Sequence, residues 1–221
     1  MAEAIRIAIV GAESTGKTTL ASQLASRLAQ DTALAVAWVP EVLREWCDAS
    51  GRTPLAHEQA TILHAQHRRI DAAAARHDIV VCDTTALMTA VYSRLIFDDR
   101  SLDEAALALH RGMSLTLLTA LDLPWVADGH QRDGEHVREP VDALLRELLL
   151  AHRLPWAVIG GAGPARVQQA MNAVAPLLRG RRAGGRGLFS RLADADDEVS
   201  GVVWSCACCG VPAHERALRR R

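Results

Sequence analysis

The residues whose types and spacing carry the plainest chemistry are Gly11, Ala12, Glu13, Ser14, Thr15, Gly16, Lys17 and Thr18, a GxxxxGKT run followed by Thr19. A loop of this kind wraps a phosphate chain. Its glycines let the backbone approach, and its amide N–H groups together with a helix N-terminus supply partial positive charge. In that pattern Lys17 reaches between the β- and γ-phosphates of ATP, and the Thr18 hydroxyl ligates Mg2+. The chain has 25 Lys and Arg residues, and Lys17 is its one lysine. A compact ammonium on a flexible stem fits between phosphate oxygens and backbone, where a planar guanidinium does not.

Two carboxylates stand where a phosphate loop needs partners. Asp83 ends the apolar run Ile79-Val80-Val81-Cys82, and a carboxylate at the carboxyl end of a parallel strand holds Mg2+ directly or through water. The same residue also fits as a cap for the helix that follows. Glu41 lies in Val39-Pro40-Glu41-Val42-Leu43-Arg44, at the end of a second apolar run. It can accept a proton from an acceptor hydroxyl or bind sugar hydroxyls, and the sequence does not separate base from binder. Arg44, three residues on, shares its side of a helical turn. Farther along, residues 122–138 are polar, charged and punctuated by glycine, as a lid over phosphates would be. Arg132 and Arg138 are its candidates for neutralising a transferring phosphoryl group, with Asp128 beside them. Trp125 serves there either in packing or as a stacking surface for an aromatic base.

Elements must hold these groups in place. Ile5–Val10 is a near-continuous apolar run ending at Gly11, as expected of a parallel strand buried on both faces. Further strands are predicted at 34–39, 79–82, 115–119 and 156–159. Helices are predicted at 18–29, 54–77, 85–95, 103–111 and 165–178, with another opening at Pro140 and running to about 152. Strands and helices in alternation point to an α/β fold, a doubly wound parallel five-stranded sheet. Residues 1–179 form the expected nucleotide-binding domain, 180–187 (GRRAGGRG) a Gly/Arg-rich linker, and 188–221 a short appendage that contains cysteines.

The formal net charge is −1, which gives no electrostatic reason to expect nucleic acid or an anionic membrane as partner. No apolar run approaches the ~20 residues of a bilayer span. The N-terminus runs straight into the glycine loop and does not read as a secretory signal, so the cytoplasm is the expected compartment. Five cysteines, an odd number, argue against a disulfide framework. Cys206 and Cys209 have the C-x2-C spacing of half a zinc ribbon, with His214 as a third ligand and Cys208 as an alternative. A closed Zn2+ site takes four ligands, and a second pair is lacking, so an appendage with incidental thiols is the competing reading.

Four blocks in order, GAESTGKTTLA, VPEVLREW, the strand ending DTT, and PWVADGHQR, resemble the ribosylnicotinamide kinase domain of the NadR type. This is a P-loop NTPase of the AAA-like ATP-binding kind, and the resemblance covers about residues 4–178. It implies transfer of the ATP γ-phosphate to the 5′-hydroxyl of nicotinamide riboside, a small nucleoside substrate, in NAD biosynthesis. It carries the phosphate role onto Lys17 and the magnesium role onto Thr18 and Asp83. Substrate-side roles fall on Glu41 and Arg44, and lid roles on Asp128, Arg132 and Arg138. NadR-type proteins commonly carry a nucleotidylyltransferase domain ahead of the kinase; this chain starts at the kinase strand, so that activity is not expected. A P-loop ATPase or nucleotide-dependent regulator acting on a protein partner is the rival expectation.

Overall fold

A computed structural model of the chain describes residues 3–126 and 134–179. Five strands, β1 (Ile5–Val10), β2 (Val36–Val39), β3 (Ile79–Asp83), β4 (Leu115–Thr119) and β5 (Trp156–Ile159), form one sheet in the order β2-β3-β1-β4-β5. Every pairing is parallel, so each connection is a crossover, and helices fill the crossovers. The predicted α/β class and five-stranded parallel sheet are thus what the chain adopts.

The register decides where chemistry can occur. Ile9 pairs with Asp83, Val39 with Cys82, and Val10 with Leu118. The carboxyl ends of β1, β2, β3 and β4 therefore finish level along one edge of the sheet, where the chain order also reverses direction around β1. In open α/β sheets that edge is where ligands bind.

The central strands are buried on both faces: Ile7, Ala8, Ile9 and Val10, like Val80, Val81 and Cys82, have no exposed surface. Helix α1 (Lys17–Asp31) packs on β1, β2 and β3 through Leu20, Leu24 and Leu28 and lies beside α7 (Gly163–Leu178). On the other face Ala8, Val10, Val80, Cys82 and Leu118 meet α4 (Ala86–Phe97) and α6 (Arg138–Ala151). Helix α4 is buried nearly all round, as a helix between a sheet and two other helices must be. Its outer neighbours are α3 (Gln59–Ala74) and α5 (Asp103–His110).

Two local expectations change. The helix predicted over 54–77 begins later: Leu55 is extended, a single 3-10 turn follows at Ala56–Glu58, and α3 starts at Gln59. Glu58 ties the turn by accepting from Leu55 N at 2.8 Å and from Arg52 at 2.7 and 2.8 Å, which holds the chain short of the helix until Gln59. The helical turn expected at Glu41–Arg44 belongs to a nine-residue helix, α2 (Val42–Ser50), closed by Gly51 in the left-handed conformation (φ 66°). Pro140 does sit in the first turn of α6. Among the described residues no helix is long and apolar enough to cross a membrane. The linker and the segment 188–221, with Cys206, Cys208, Cys209 and His214, lie outside the described residues, as do Asp128 and Arg132.

Candidate active site

The phosphate loop leaves β1 at Gly11, and its first turn is set by contact with β4. A Cβ on Gly11 (φ 149°) would stand 2.0 Å from Thr119 Oγ1 and 3.2 Å from Thr119 O. No side chain fits there. Thr15 Oγ1 donates to Ala12 O at 2.7 Å and lies 2.7 Å from Thr119 Oγ1, which is itself 3.2 Å from Val10 O. These buried hydroxyls hold the loop in its curve. Gly16 (φ 72°) caps α1 with no side-chain hydrogen bond, and the first turn of α1 carries no acidic residue. The N-terminal amides and the positive end of the helix thus face an opening lined by Ser14, Thr15, Gly16, Lys17, Thr18 and Thr19. Lys17 Nζ rests on Ala12 O at 2.9 Å, within the loop it would leave to meet a phosphate.

Asp83 stands beside that opening with 1% of its surface exposed. Burial raises its carboxyl above the ordinary range, opposed by a hydrogen bond from Thr18 and by the charges of Lys17 and Arg44. Its Oδ1 is buried and has no hydrogen-bond partner among the described residues. A buried carboxylate oxygen without a donor, next to a threonine hydroxyl, is a set of hard oxygen ligands suited to Mg2+. Among the described residues no cluster of three or more acidic, His or Cys side chains exists, and Mg2+ needs none where phosphates and water complete its shell. The cap expected at this helix falls to Thr85, whose Oγ1 accepts from Leu87 N at 3.3 Å, so Asp83 is left for the site.

Glu41 and Arg44 sit at the start of α2, with Arg44 Nε 4.0 Å from Glu41 Oε2. Gln66 of α3 brackets the approach: its Oε1 accepts from Val42 N at 2.7 Å and its Nε2 donates to Pro40 O at 3.3 Å. Glu41 and Arg44 line the phosphate opening and also a second cavity next to it. That cavity is walled by Leu43, Pro54, Tyr92, Ile96 and Phe97 with Glu13, and Ser14 and Lys17 of the phosphate loop form its boundary with the first.

The loop after β4 meets the phosphate loop directly. Ser14 Oγ donates to Val126 O at 2.7 Å and accepts from Val126 N at 3.1 Å. Trp125, half-buried next to this junction, lines neither cavity. Arg138 was expected over the transferring phosphate, but its Nη2 donates to the carbonyls of Leu121 (3.2 Å) and Leu123 (2.8 Å), with 5% of the residue exposed. Arg138 holds the base of the loop from the first residue of α6. A guanidinium that buried takes main-chain acceptors near it. Arg166, which the sequence did not single out, reaches from α7 to donate to Thr15 O at 2.7 Å and Gly161 O at 2.8 Å. No short motif marks it; it lies some 150 residues from the loop it holds.

The sequence family described as AAA domain matches residues 6–166, from β1 to the first turn of α7. The chain belongs to the AAA domain family. Among curated proteins none matches it. Solved structures do. The NadR protein in complex with NR superposes with a TM-score of 0.60 at 21% identity, over 78% of this chain and 50% of that one. A deoxyadenosine kinase from M. mycoides (TM-score 0.54, 14% identity) matches over 78% of this chain and all of its own length. A thymidylate kinase from Ehrlichia chaffeensis (TM-score 0.53, 13% identity) matches over 80% of this chain and all of its own. This AAA domain thus has the fold of P-loop kinases, and the resemblance to NadR is borne out at the level of fold. The chain spans about half the length of the NadR protein it matches.

Proposed function

We propose that this AAA domain transfers the γ-phosphate of ATP to the 5′-hydroxyl of a nucleoside, nicotinamide riboside, giving its 5′-mononucleotide. One observation carries the reading: Glu41 and Arg44 form a common wall between the phosphate cradle and an adjoining cavity with an apolar side. A phosphate donor in the first and a nucleoside in the second would meet at these two side chains. The NadR structure holding NR agrees with an acceptor of that class, although at 21% identity it speaks for the fold alone.

The residues divide the chemistry. The loop amides and Lys17 hold the β- and γ-phosphates and take up charge as the bridging oxygen leaves with ADP. Thr18 and Asp83 would hold Mg2+, which would supply further neutralisation of the phosphate charge. Glu41 accepts the hydrogen bond of the 5′-hydroxyl and orients its oxygen in line. The new O–P bond forms as the old one breaks, and the hydroxyl proton passes to the carboxylate. Arg44 meets the phosphoryl oxygens at the shared wall. Positioning and fixed charge supply most of the acceleration in such transfers.

A panel of ribosides, each incubated with ATP and Mg2+ and read by mass for a product heavier by one phosphoryl group, tests the proposal. Nicotinamide riboside is expected to be converted. ATP turnover that ignores every riboside and rises on adding a protein would instead place the chain among nucleotide-driven regulators.

A further inference from the structure

The second cavity contains an amide that the chemistry above does not use. Gln59 opens α3 with 3% of its surface exposed and lines the cavity, yet its Oε1 is buried without a hydrogen-bond partner among the described residues. Leaving such an acceptor dry is costly, and native folds rarely leave one without a role. Its position is not loose. Gly51 ends α2, and Arg52 then forks onto Glu58 at 2.7 and 2.8 Å while stacking 4.9 Å over the Trp46 ring. Glu58 in turn fixes Leu55 N, so the turn that delivers Gln59 is braced from both sides.

The surroundings say what would satisfy it. Tyr92, Phe97 and Ile96, the last 52% exposed despite its apolar side chain, offer flat apolar surface to a ring. Glu41 stands at the phosphate side of the same cavity. A nucleoside whose hydroxyl meets Glu41 would direct its base into the rest of that cavity, which Gln59 also lines.

Resting on the kinase reading, we propose that Gln59 Oε1 receives the exocyclic N–H of the acceptor's base and so selects a carboxamide or amino ring over its carboxylate or oxo counterpart. A carboxylate there would set acceptor against acceptor, and a pocket built to hydrogen-bond one group rejects the analogue lacking it. Burial without a partner makes the preference steeper than at a wet site.

The test compares paired acceptors: nicotinamide riboside with nicotinic acid riboside, adenosine with inosine, cytidine with uridine. The native protein is expected to prefer the carboxamide or amino member of whichever pair it phosphorylates by about 10-fold or more in kcat/KM. Gln59→Met keeps the length but offers no acceptor, and should bring that ratio close to one, mainly through KM of the preferred member. Gln59→Glu still accepts and should keep or widen it. Melting curves of both variants confirm that they fold. Equal rates within every pair, or a ratio unmoved in Gln59→Met, would overturn the inference while leaving the kinase reading intact. A preference for the carboxylate or oxo member would mean the amide is turned to donate, and would also overturn it. Failure to phosphorylate any riboside would sink both.

Discussion

Arg166 Nη2 donates to the carbonyl of Thr15 at 2.7 Å, bolting the last helix to the crest of the phosphate loop. The same guanidinium reaches Gly161 O at 2.8 Å and Asp122 Oδ1 at 3.4 Å, and Asp122 also accepts from Gly161 N. Three loops at the carboxyl edge of the sheet are thereby joined through one side chain that is 5% exposed.

Arg166→Met should therefore weaken ATP binding more than it weakens the fold. Without the fork, two main-chain carbonyls lose their donor, at about 1–3 kcal/mol each where burial is retained. The free protein should melt several degrees lower, at about 2–4 °C per kcal/mol for a chain of this size. The informative quantity is the further rise in melting temperature on adding ATP and Mg2+, expected to shrink markedly. Lysine cannot span the three acceptors, so Arg166→Lys should restore little. An undiminished ATP-induced shift in Arg166→Met would show that the loop holds its shape unaided.

Gly11→Ala is expected to abolish nucleotide binding. Its Cβ would meet Thr119 Oγ1 at 2.0 Å, and the backbone conformation (φ 149°) is itself unfavourable for a side chain. Thr119→Ala added to it relieves the closest contact but leaves Thr119 O at 3.2 Å and the backbone strain. The double variant should recover part of the lost stability and little of the ATP affinity. Calorimetric titration with ATP checks this; full recovery in the double variant would show that only the hydroxyl demanded glycine.

Much of this site was legible in the sequence because it is built from short runs tied to strand ends. The loop from Gly11 to Thr18, Asp83 at the end of β3, and Glu41 two residues beyond β2 come to one edge as soon as five parallel strands are assigned. The start of α3 was misread because periodicity extends smoothly back to Pro54, while the Arg52–Glu58 fork that breaks it is a contact between exposed side chains. Arg138 was misplaced for a related reason. Composition marks a charged loop but does not show that one of its arginines turns inward to main-chain carbonyls. Arg166 reaches the phosphate loop across 151 residues, Gln59 acts as a single group against the cavity, and Gln66 joins the start of α2 to α3; no local pattern encodes any of these.

Asp83→Asn should make the free protein more stable and remove nearly all of the proposed phosphoryl transfer. Burial raises the Asp83 carboxyl above its ordinary 3.8, so the folded chain holds that proton more tightly than the unfolded one. Stability linked to this group is present below about pH 3.8 and lost as pH rises through the elevated value. At neutral pH the free protein carries a buried charge that asparagine removes. The melting temperature of Asp83→Asn should exceed the native value at pH 7, and the gap should close in acid. Turnover with Mg2+ should fall by about 100-fold or more, since the phosphoryl charge loses a held counter-ion. Native turnover in Asp83→Asn would remove this residue from the metal site.

His110 makes part of the fold's stability sensitive to acid. It lies 1% exposed between two hydroxyls, with Nδ1 2.9 Å from Thr85 Oγ1 and Nε2 2.8 Å from Thr116 Oγ1, and burial lowers its pKa to about 4. Both nitrogens are matched to hydroxyls, and burial away from water favours the neutral ring over the imidazolium. The unfolded chain takes up this proton near its ordinary 6.5, the folded chain only near 4. Stability from this group is complete above about pH 6.5 and drains away as pH falls to about 4, a change on the order of 3 kcal/mol. Thr85 also caps α4 two residues after Asp83, so the loss reaches the rim of the active site. His110→Gln should melt lower at pH 7, where the imidazole bonds are lost, and should show a flatter decline between pH 6.5 and 4. The two proteins therefore converge in acid. Denaturant titrations at half-unit pH intervals measure both slopes, and parallel curves across that window would show that the proton is taken up elsewhere.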